Sequence, residues 1–340
     1  MSKRKLTRRQ TWRIKKVQDE RTERAQKREG AVDQQITEGE LGDEQEGLII
    51  AHFGSQVDVE CLQGKDEGII ARCHLRANLD NLVTGDRVIW RAGKPTGVIV
   101  ARLPRQSELS RPDLHGQLRP IAANIDYIVL VIAPLPEPHS NLVDRYLVAA
   151  ESVDIEPLIL LNKVDLLDQH NQQEIDQLLE IYPQINYRVL RTSTESQQGI
   201  AELKAILKDR TSVFVGQSGV GKSSLINMLL PGVDLKVGAL SQGKAKGTHT
   251  TTTAKLFHFP DGGDLVDSPG IREFGLWHME RHQVLDGFSE FRPFLGHCKF
   301  RDCKHQVEPG CELLAAVERG DISRRRLNSF ESIANSLENL

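Results

Sequence analysis

Three short stretches of this 340-residue chain carry residue types at spacings suited to chemistry. The first is Gly216-Gln217-Ser218-Gly219-Val220-Gly221-Lys222-Ser223, the pattern Gly-x4-Gly-Lys-Ser, followed by Ser224. An apolar strand pattern at 211–215 precedes it and a helical pattern at 222–230 follows, so backbone N–H groups and a helix N-terminus can enclose phosphates. Gly216 and Gly221 permit the tight turn, Lys222 is placed to reach the β and γ phosphates, and Ser223 to bind Mg2+. The pattern arises by chance in about 1% of chains of this length, which makes it stronger evidence than any shorter motif here.

The second stretch is Asn162-Lys163-Val164-Asp165, after an apolar strand pattern at 157–161. It therefore lies at the carboxyl end of a parallel sheet, the edge that also carries the phosphate-type loop. Asp165 can accept from the ring N–H and exocyclic amine of guanine, whereas adenine offers an acceptor and no amine there. Asn162 can bridge the base and the loop, the stem of Lys163 can cover the ring, and the backbone of Ser193 is a candidate contact to the guanine oxygen. The third stretch is Cys298-x4-Cys303-x-His305-x5-Cys311, a tetrahedral Cys3His set that reads as a structural Zn2+ site. His297 stands next to it as an alternative ligand. Lys299, Arg301 and Lys304 interleave with the ligands and suit phosphate contact.

Two further segments complete a nucleotide site. Asp267-Ser268-Pro269-Gly270 follows an apolar strand pattern, where Asp267 would hold Mg2+ through water and the Gly270 amide would sense a γ phosphate. Ile271 occupies the place where many nucleotide hydrolases put a water-orienting Gln. A substitute lies in Lys246-Gly247-Thr248-His249-Thr250-Thr251-Thr252, with His249 either polarising water or serving as a plain loop histidine, and Thr251 or Thr250 ligating Mg2+. The order is unusual: the base-reading motif precedes the phosphate loop, as a circular permutation of a GTPase domain would produce.

The elements around these motifs divide the chain into four parts. Residues 1–46 form a basic arm without expected fixed structure; its first 29 residues carry +8, leaving −11 on the remainder of a chain of net charge −3. Such an arm suits phosphate-rich nucleic acid or is a solvated tail. In 47–112, strand patterns at 47–60, 68–74, 86–91 and 97–103 fit an all-β barrel such as an OB-fold, or another small barrel. In 113–277, strands at 125–133, 157–161, 187–190, 211–215, 251–259 and 264–266 alternate with helices at 142–152, 174–181, 200–207 and 222–230, giving an α/β parallel sheet. Residues 278–340 read as mainly α and zinc-binding, with Arg324-Arg325-Arg326 either joining a phosphate-binding face or solvated. No apolar run approaches the roughly 18 residues of a membrane span, and five cysteines without a disulfide pattern fit a reducing cytoplasm.

Together these motifs resemble the small ribosomal subunit biogenesis GTPase family called RsgA or YjeQ, one of the circularly permuted GTPases. The resemblance spans the barrel, Asn-Lys-Val-Asp, Gly-Gln-Ser-Gly-Val-Gly-Lys-Ser, His-Thr-Thr-Thr, Asp-Ser-Pro-Gly and the Cys3His cluster. It implies an N-terminal OB-fold, a permuted GTPase binding GTP/GDP and Mg2+, and a C-terminal domain with one structural Zn2+. It further implies hydrolysis stimulated by the small ribosomal subunit, contact with its rRNA, a role in late maturation, and release on hydrolysis. His249 at its position is considered catalytic in that family, alongside Lys222. A monomer without membrane association is expected. Because Asp267 ends the nucleotide domain, the γ phosphate could reposition the zinc domain through the few residues between them. An alternative from another class is an RNA-binding module with a purely structural nucleotide, and a second alternative is a GTPase with a non-ribosomal partner.

Overall fold

The computed structural model describes residues 41–54, 56–75, 79, 81–113, 116–232, 254–267, 271 and 279–338. Most of the basic arm, and with it His249, Thr251 and Gly270, lies outside the described residues. Contacts divide the chain into two compact units: residues up to Leu82 with Asp86–Pro104, and Val83–Gly85 with Arg105–Leu340.

The first unit is a five-stranded barrel of β1 (Glu44–Phe53), β2 (Gln56–Cys61), β3 (Ile70–His74), β4 (Arg87–Arg91) and β5 (Gly97–Arg102). Its order is β1-β2-β3-β5-β4, and β4 pairs back onto β1, which closes the sheet in the OB-fold order. The expected single strand at 47–60 is in fact β1 and β2, broken at Gly54 with φ 71°. Alternate residues point inward, so Ile49, Val57, Val59, Cys61, Cys73, Val88, Trp90 and Ile99 form one buried cluster. Burial pushes the Cys73 thiol up to about 12, so it packs as an inert apolar side chain.

The second unit begins with a hairpin of β6 (Glu108–Pro112) and β7 (Leu118–Ala123), which the sequence reading did not anticipate and which its boundary at 112/113 divides. The sheet runs β10 (Arg188–Arg191), β9 (Glu156–Leu161), β8 (Tyr127–Ile132), β11 (Thr211–Val215), β13 (Asp264–Asp267), β12 (Lys255–His258). The first five strands are parallel and β12 pairs antiparallel with β13. Helices α1 (Ser140–Glu151), α2 (Gln172–Leu179), α3 (Ile181–Gln184), α4 (Ile200–Leu207) and α5 (Lys222–Leu229) make the connections. One sheet face presents Val129, Val131, Leu158, Leu160, Phe214 and Leu265 to Leu203, Leu207, Leu225 and Leu229 of α4 and α5. α1 packs on β8 and β9.

After the sheet come α6 (Arg281–Asp286), a 3-10 turn at Ser289–Phe294, α7 (Glu312–Arg319) and α8 (Arg324–Glu338). Phe288 and Phe291 stack at 4.8 Å, and Phe330 of α8 meets both edge-on. α8 packs against α1 and α6. The Arg run on α8 is divided in function. Arg324 is exposed, whereas Arg325 donates to the carbonyls of Gln177 (2.6 Å) and Leu178 (2.8 Å) near the end of α2. Arg326 is buried and donates to Asp144 Oδ1 at 2.5 Å and to both Glu290 oxygens at 2.6 and 3.1 Å, with its guanidinium 4.3 Å from the Phe288 ring centre. Tyr182 donates to the same Asp144 oxygen at 2.9 Å. Thus Arg326 is withdrawn from solvent and Arg325 is half-buried; both fasten α8 to the sheet's helices.

Removing one partner from a buried ion cluster leaves a charge without compensation. Arg326→Met should therefore lose about 3–5 kcal/mol of stability, read by urea denaturation, while an exposed Arg324→Met should change little.

Candidate nucleotide site and metal centre

The five parallel strands end at one edge, and four of them deliver the sequence motifs there. β9 leads into Asn162, β10 into Thr192 and Ser193, β11 into Gly216, and β13 ends on Asp267. Register sets their alignment: Ile132 pairs with Leu161, Leu161 with Arg191, and Val215 with Leu130.

Asn162 is fully buried and joins three loops. Its backbone N–H donates to Ile132 O (2.8 Å), its Nδ2 to Val220 O in the phosphate-type loop (2.9 Å), and its Oδ1 accepts from Thr192 Oγ1 (3.2 Å). Lys163 adopts a left-handed backbone, φ 59°, which turns its side chain so that Nζ donates to Gly219 O at 2.6 Å. Val164 follows with its N–H on Thr192 O, 3.1 Å, and Asp165 is exposed at the site. The Ser193 hydroxyl donates to Asp165 Oδ1 and accepts from the N–H groups of Glu195 and Ser196. The Ser193 backbone N–H, a candidate contact to a base oxygen, donates to Gln198 O at 3.1 Å. Ser193 thus orients the carboxylate of Asp165 through its hydroxyl. Sequence reasoning passed over Thr192, whose burial directly after a strand was its only signal.

The loop from Gly216 to Gly221 turns on left-handed glycines. At Gly221, φ 91°, a Cβ would stand 2.4 Å from Asn162 Nδ2, so no other residue fits beside that bond. Gly216 has φ 130°, and a Cβ there would stand 2.2 Å from Val131 O. Val220 is buried, Gln217 half-buried, and Ser218 and Gly219 are exposed. Lys222 opens α5 with its ammonium folded back on Gly216 O at 2.6 Å and on Gln217 O. Among the described residues no side chain caps α5, so the N–H groups of its first turn are open to a ligand beside half-buried Ser223 and exposed Ser224. This combination of a cationic side chain, a positive helix end and a glycine turn is a cradle for phosphate oxygens. Asp267 sits on the strand next to β11, and Ile271 beyond it is buried.

The donor atoms of Cys298, Cys303, His305 and Cys311 all lie within 4.8 Å of one another. Cys298 Sγ is 4.0 Å from Cys311 Sγ, and His305 Nδ1 is 3.5 and 3.4 Å from those sulfurs. A tetrahedral ion with sulfur at about 2.3 Å and nitrogen at about 2.0 Å needs edges of roughly 3.8 and 3.5 Å, so the set fits Zn2+. His305 holds a left-handed backbone, φ 63°, and burial lowers its pKa, which keeps the imidazole neutral and its nitrogen available. Glu308 organises the knuckle: its carboxylate accepts from the N–H groups of Lys304 (2.9 Å), Gln306 (2.9 Å) and Val307 (3.1 Å). Those bonds lower its pKa from 4.5 to about 2, so their support is complete above pH 4.5 and fades toward pH 2. Glu308→Ala should weaken Zn2+ binding by about 10- to 100-fold in a chelator competition at pH 7, leaving the far-UV spectrum of the rest intact.

Residues 102–277 match a family profile described as RsgA GTPase. The chain is 60% identical to the small ribosomal subunit biogenesis GTPase RsgA of Azotobacter vinelandii, over 99% of this chain and 98% of that protein. It is likewise 60% identical to the protein of the same name from Hahella chejuensis, over 99% and 97%. Among solved structures it is similar to YjeQ from Thermotoga maritima, with TM-score 0.72 and 32% identity, covering 88% of this chain and 100% of that one. It is also similar to YloQ, titled a circularly permuted GTPase, with TM-score 0.69 and 30% identity over 87% and 96%. With a permuted order of motifs on one sheet edge and near-full-length identity to these relatives, the chain belongs to the RsgA GTPase family.

Proposed function

We propose that this chain is a Mg2+-dependent GTPase of the cytoplasm that assembles with the small ribosomal subunit and its rRNA during late maturation. The bond from Asn162 Nδ2 to Val220 O carries the reading, because it fastens the base-reading loop directly to the phosphate loop, so that one ligand can meet both. Asp165, held by Ser193, selects guanine. The loop of Gly216, Gln217, Ser218, Gly219, Val220 and Gly221 surrounds the phosphates, and Lys222 exchanges its bonds with Gly216 O and Gln217 O for phosphate oxygens. Ser223, Thr251 and Asp267 would hold Mg2+, which would supply positive charge against the negative charge that builds during phosphoryl transfer. His249 positions the attacking water, and the Gly270 amide meets the γ phosphate.

The Cys3His knuckle holds one structural Zn2+ and presents Lys299, Arg301 and Lys304 toward phosphate. All three of these basic side chains are exposed. The subunit stimulates hydrolysis, and hydrolysis releases the protein. The names of the Azotobacter and Hahella relatives support this choice of partner.

The test is GTP hydrolysis by the purified protein alone and with small subunits, using large subunits and ATP as controls. Stimulation by small subunits alone is expected, lost in Lys222→Ala and reduced in His249→Ala at nearly unchanged GDP affinity; equal losses of binding and turnover in the His variant would count against its role. Asp165→Asn should weaken GTP by about 100-fold and favour xanthosine triphosphate, whose added oxygen the new amide can meet.

A further inference from the structure

Residues 83–85 stand between β3 and β4 of the barrel in the chain, yet they belong to the second unit. Thr84 is bridged to Ala122 of β7, and its carbonyl accepts the Ala123 N–H at 3.0 Å. Gly85, at φ 92°, lies so close to β7 that a Cβ would stand 2.1 Å from Ala123 O, and its carbonyl accepts from Asn124 Nδ2 at 2.8 Å. With its backbone fixed in this way, Thr84 is 1% exposed and donates from Oγ1 to Ala254 O at 3.0 Å. Ala254 immediately precedes Lys255, the residue of β12 that pairs with Asp267. All four residues of β13, Asp264 to Asp267, pair with β12, whereas among the described residues β11 pairs with Asp264 and Leu265 alone. The end of β13 that bears the Asp267 carboxylate therefore rests on the first residues of β12, and these follow directly from the carbonyl that Thr84 holds.

Resting on the GTP reading above, which gives Asp267 to Mg2+, we propose that Thr84 is a positioning residue for that metal: its hydroxyl fixes the start of β12, and β12 fixes the end of β13 that bears Asp267. The side chain must be a donor for this. A methyl group in place of Oγ1 would fill the same space and leave Ala254 O without the bond, freeing the strand end to fray. Leu82 and Asp86, on either side of the segment, belong to the barrel, so the barrel's own chain supplies this support.

The experiment compares the full-length wild type with Thr84→Val, which keeps the shape and loses the donor, Thr84→Ser, which keeps the donor, and Ser107→Ala. Ser107 Oγ donates to Ile125 O and accepts the Ile125 N–H, each at 2.7 Å, so its removal loses a comparable bond between β7 and β8 without touching Ala254. The readouts are the Mg2+ concentration for half-maximal GTP hydrolysis, fluorescent GDP affinity in EDTA, hydrogen exchange of Lys255–His258 in the nucleotide-free protein, and thermal melting. Thr84→Val should raise the Mg2+ requirement by about fivefold and speed the exchange by about the same factor, with GDP affinity in EDTA within about twofold. Thr84→Ser should restore both quantities. Ser107→Ala should melt earlier and keep the wild-type Mg2+ requirement and exchange. A wild-type Mg2+ requirement or wild-type exchange in Thr84→Val overturns the proposal, as does failure of Thr84→Ser to restore them or an equal shift in Ser107→Ala. A wild type that hydrolyses no GTP, or hydrolyses it without Mg2+, overturns the GTP reading and the proposal with it, whereas a Mg2+-dependent wild type matched by Thr84→Val overturns the proposal alone. If Thr84→Val does not fold, Thr84→Ala takes its place with the same expected result.

Discussion

A single side-chain amide holds the nucleotide edge together. Asn162 is buried where three strand ends converge: its side-chain amide ties Val220 O to Thr192 Oγ1, and its backbone N–H meets Ile132 O at the end of β8. Burying an amide is costly unless every polar atom finds a partner, so the loops of β8, β10 and β11 must all sit where Asn162 needs them. Gly221 follows from that constraint, since its Cα lies against the amide. The left-handed turn at Lys163 follows too, because it brings the ammonium onto Gly219 O. None of this depends on which loop comes first in the chain. A parallel sheet fixes neighbours by register and packing, and the permuted order leaves Val220 and Asn162 in contact across 58 residues of sequence.

The C-terminal helices use a different kind of joint. Arg326 and Asp144 are both withdrawn from water, and their mutual attraction offsets a desolvation cost that apolar residues would not incur. Asp144 Oδ2 has no hydrogen-bond partner, so the cluster is not optimised for stability alone. What it does fix is geometry: a planar guanidinium gripped by Asp144 and Glu290 over the Phe288 ring admits one orientation of α8. Specific orientation matters more than bulk adhesion where a Cys3His knuckle must stay in register with the sheet.

Much of the site was legible because its residues follow apolar strands, where the side-chain pattern changes abruptly to Gly, Asn or Asp. The strand at 211–215 and the helix at 200–207 have the bounds their periodicity predicts. The Cys3His spacing likewise announced a cluster that the backbone then closes. Other features depend on partners distant in sequence. Arg326 sits in a run of three arginines, which alone reads as surface, and nothing local reveals Asp144 and Glu290 as its partners. The β6–β7 hairpin was hidden by its charges and by Pro112 and Pro120, since it has one buried position in β6 and little alternation to detect. The break at Gly54 escaped because the inward alternation of β1 resumes in the same phase in β2 after only two residues, Gly54 and Ser55. The bond from the Ser193 hydroxyl to Asp165 required coordinates, because sequence does not tell which atom of a serine is used.

The position of β8 has a consequence for synthesis. In this order the most apolar strand, Tyr127–Ile132, is made first among those of the parallel sheet, yet it ends in the middle, between β9 and β11. As the chain emerges, β9 and β10 can add to one side of β8 while its other edge waits for Thr211–Val215. For that interval the nascent chain carries a bare apolar edge able to pair with any exposed strand, a hazard that ends only when the strand leading into Gly216 arrives. Completion of the phosphate loop and the covering of the second edge of β8 are therefore nearly the same event during translation.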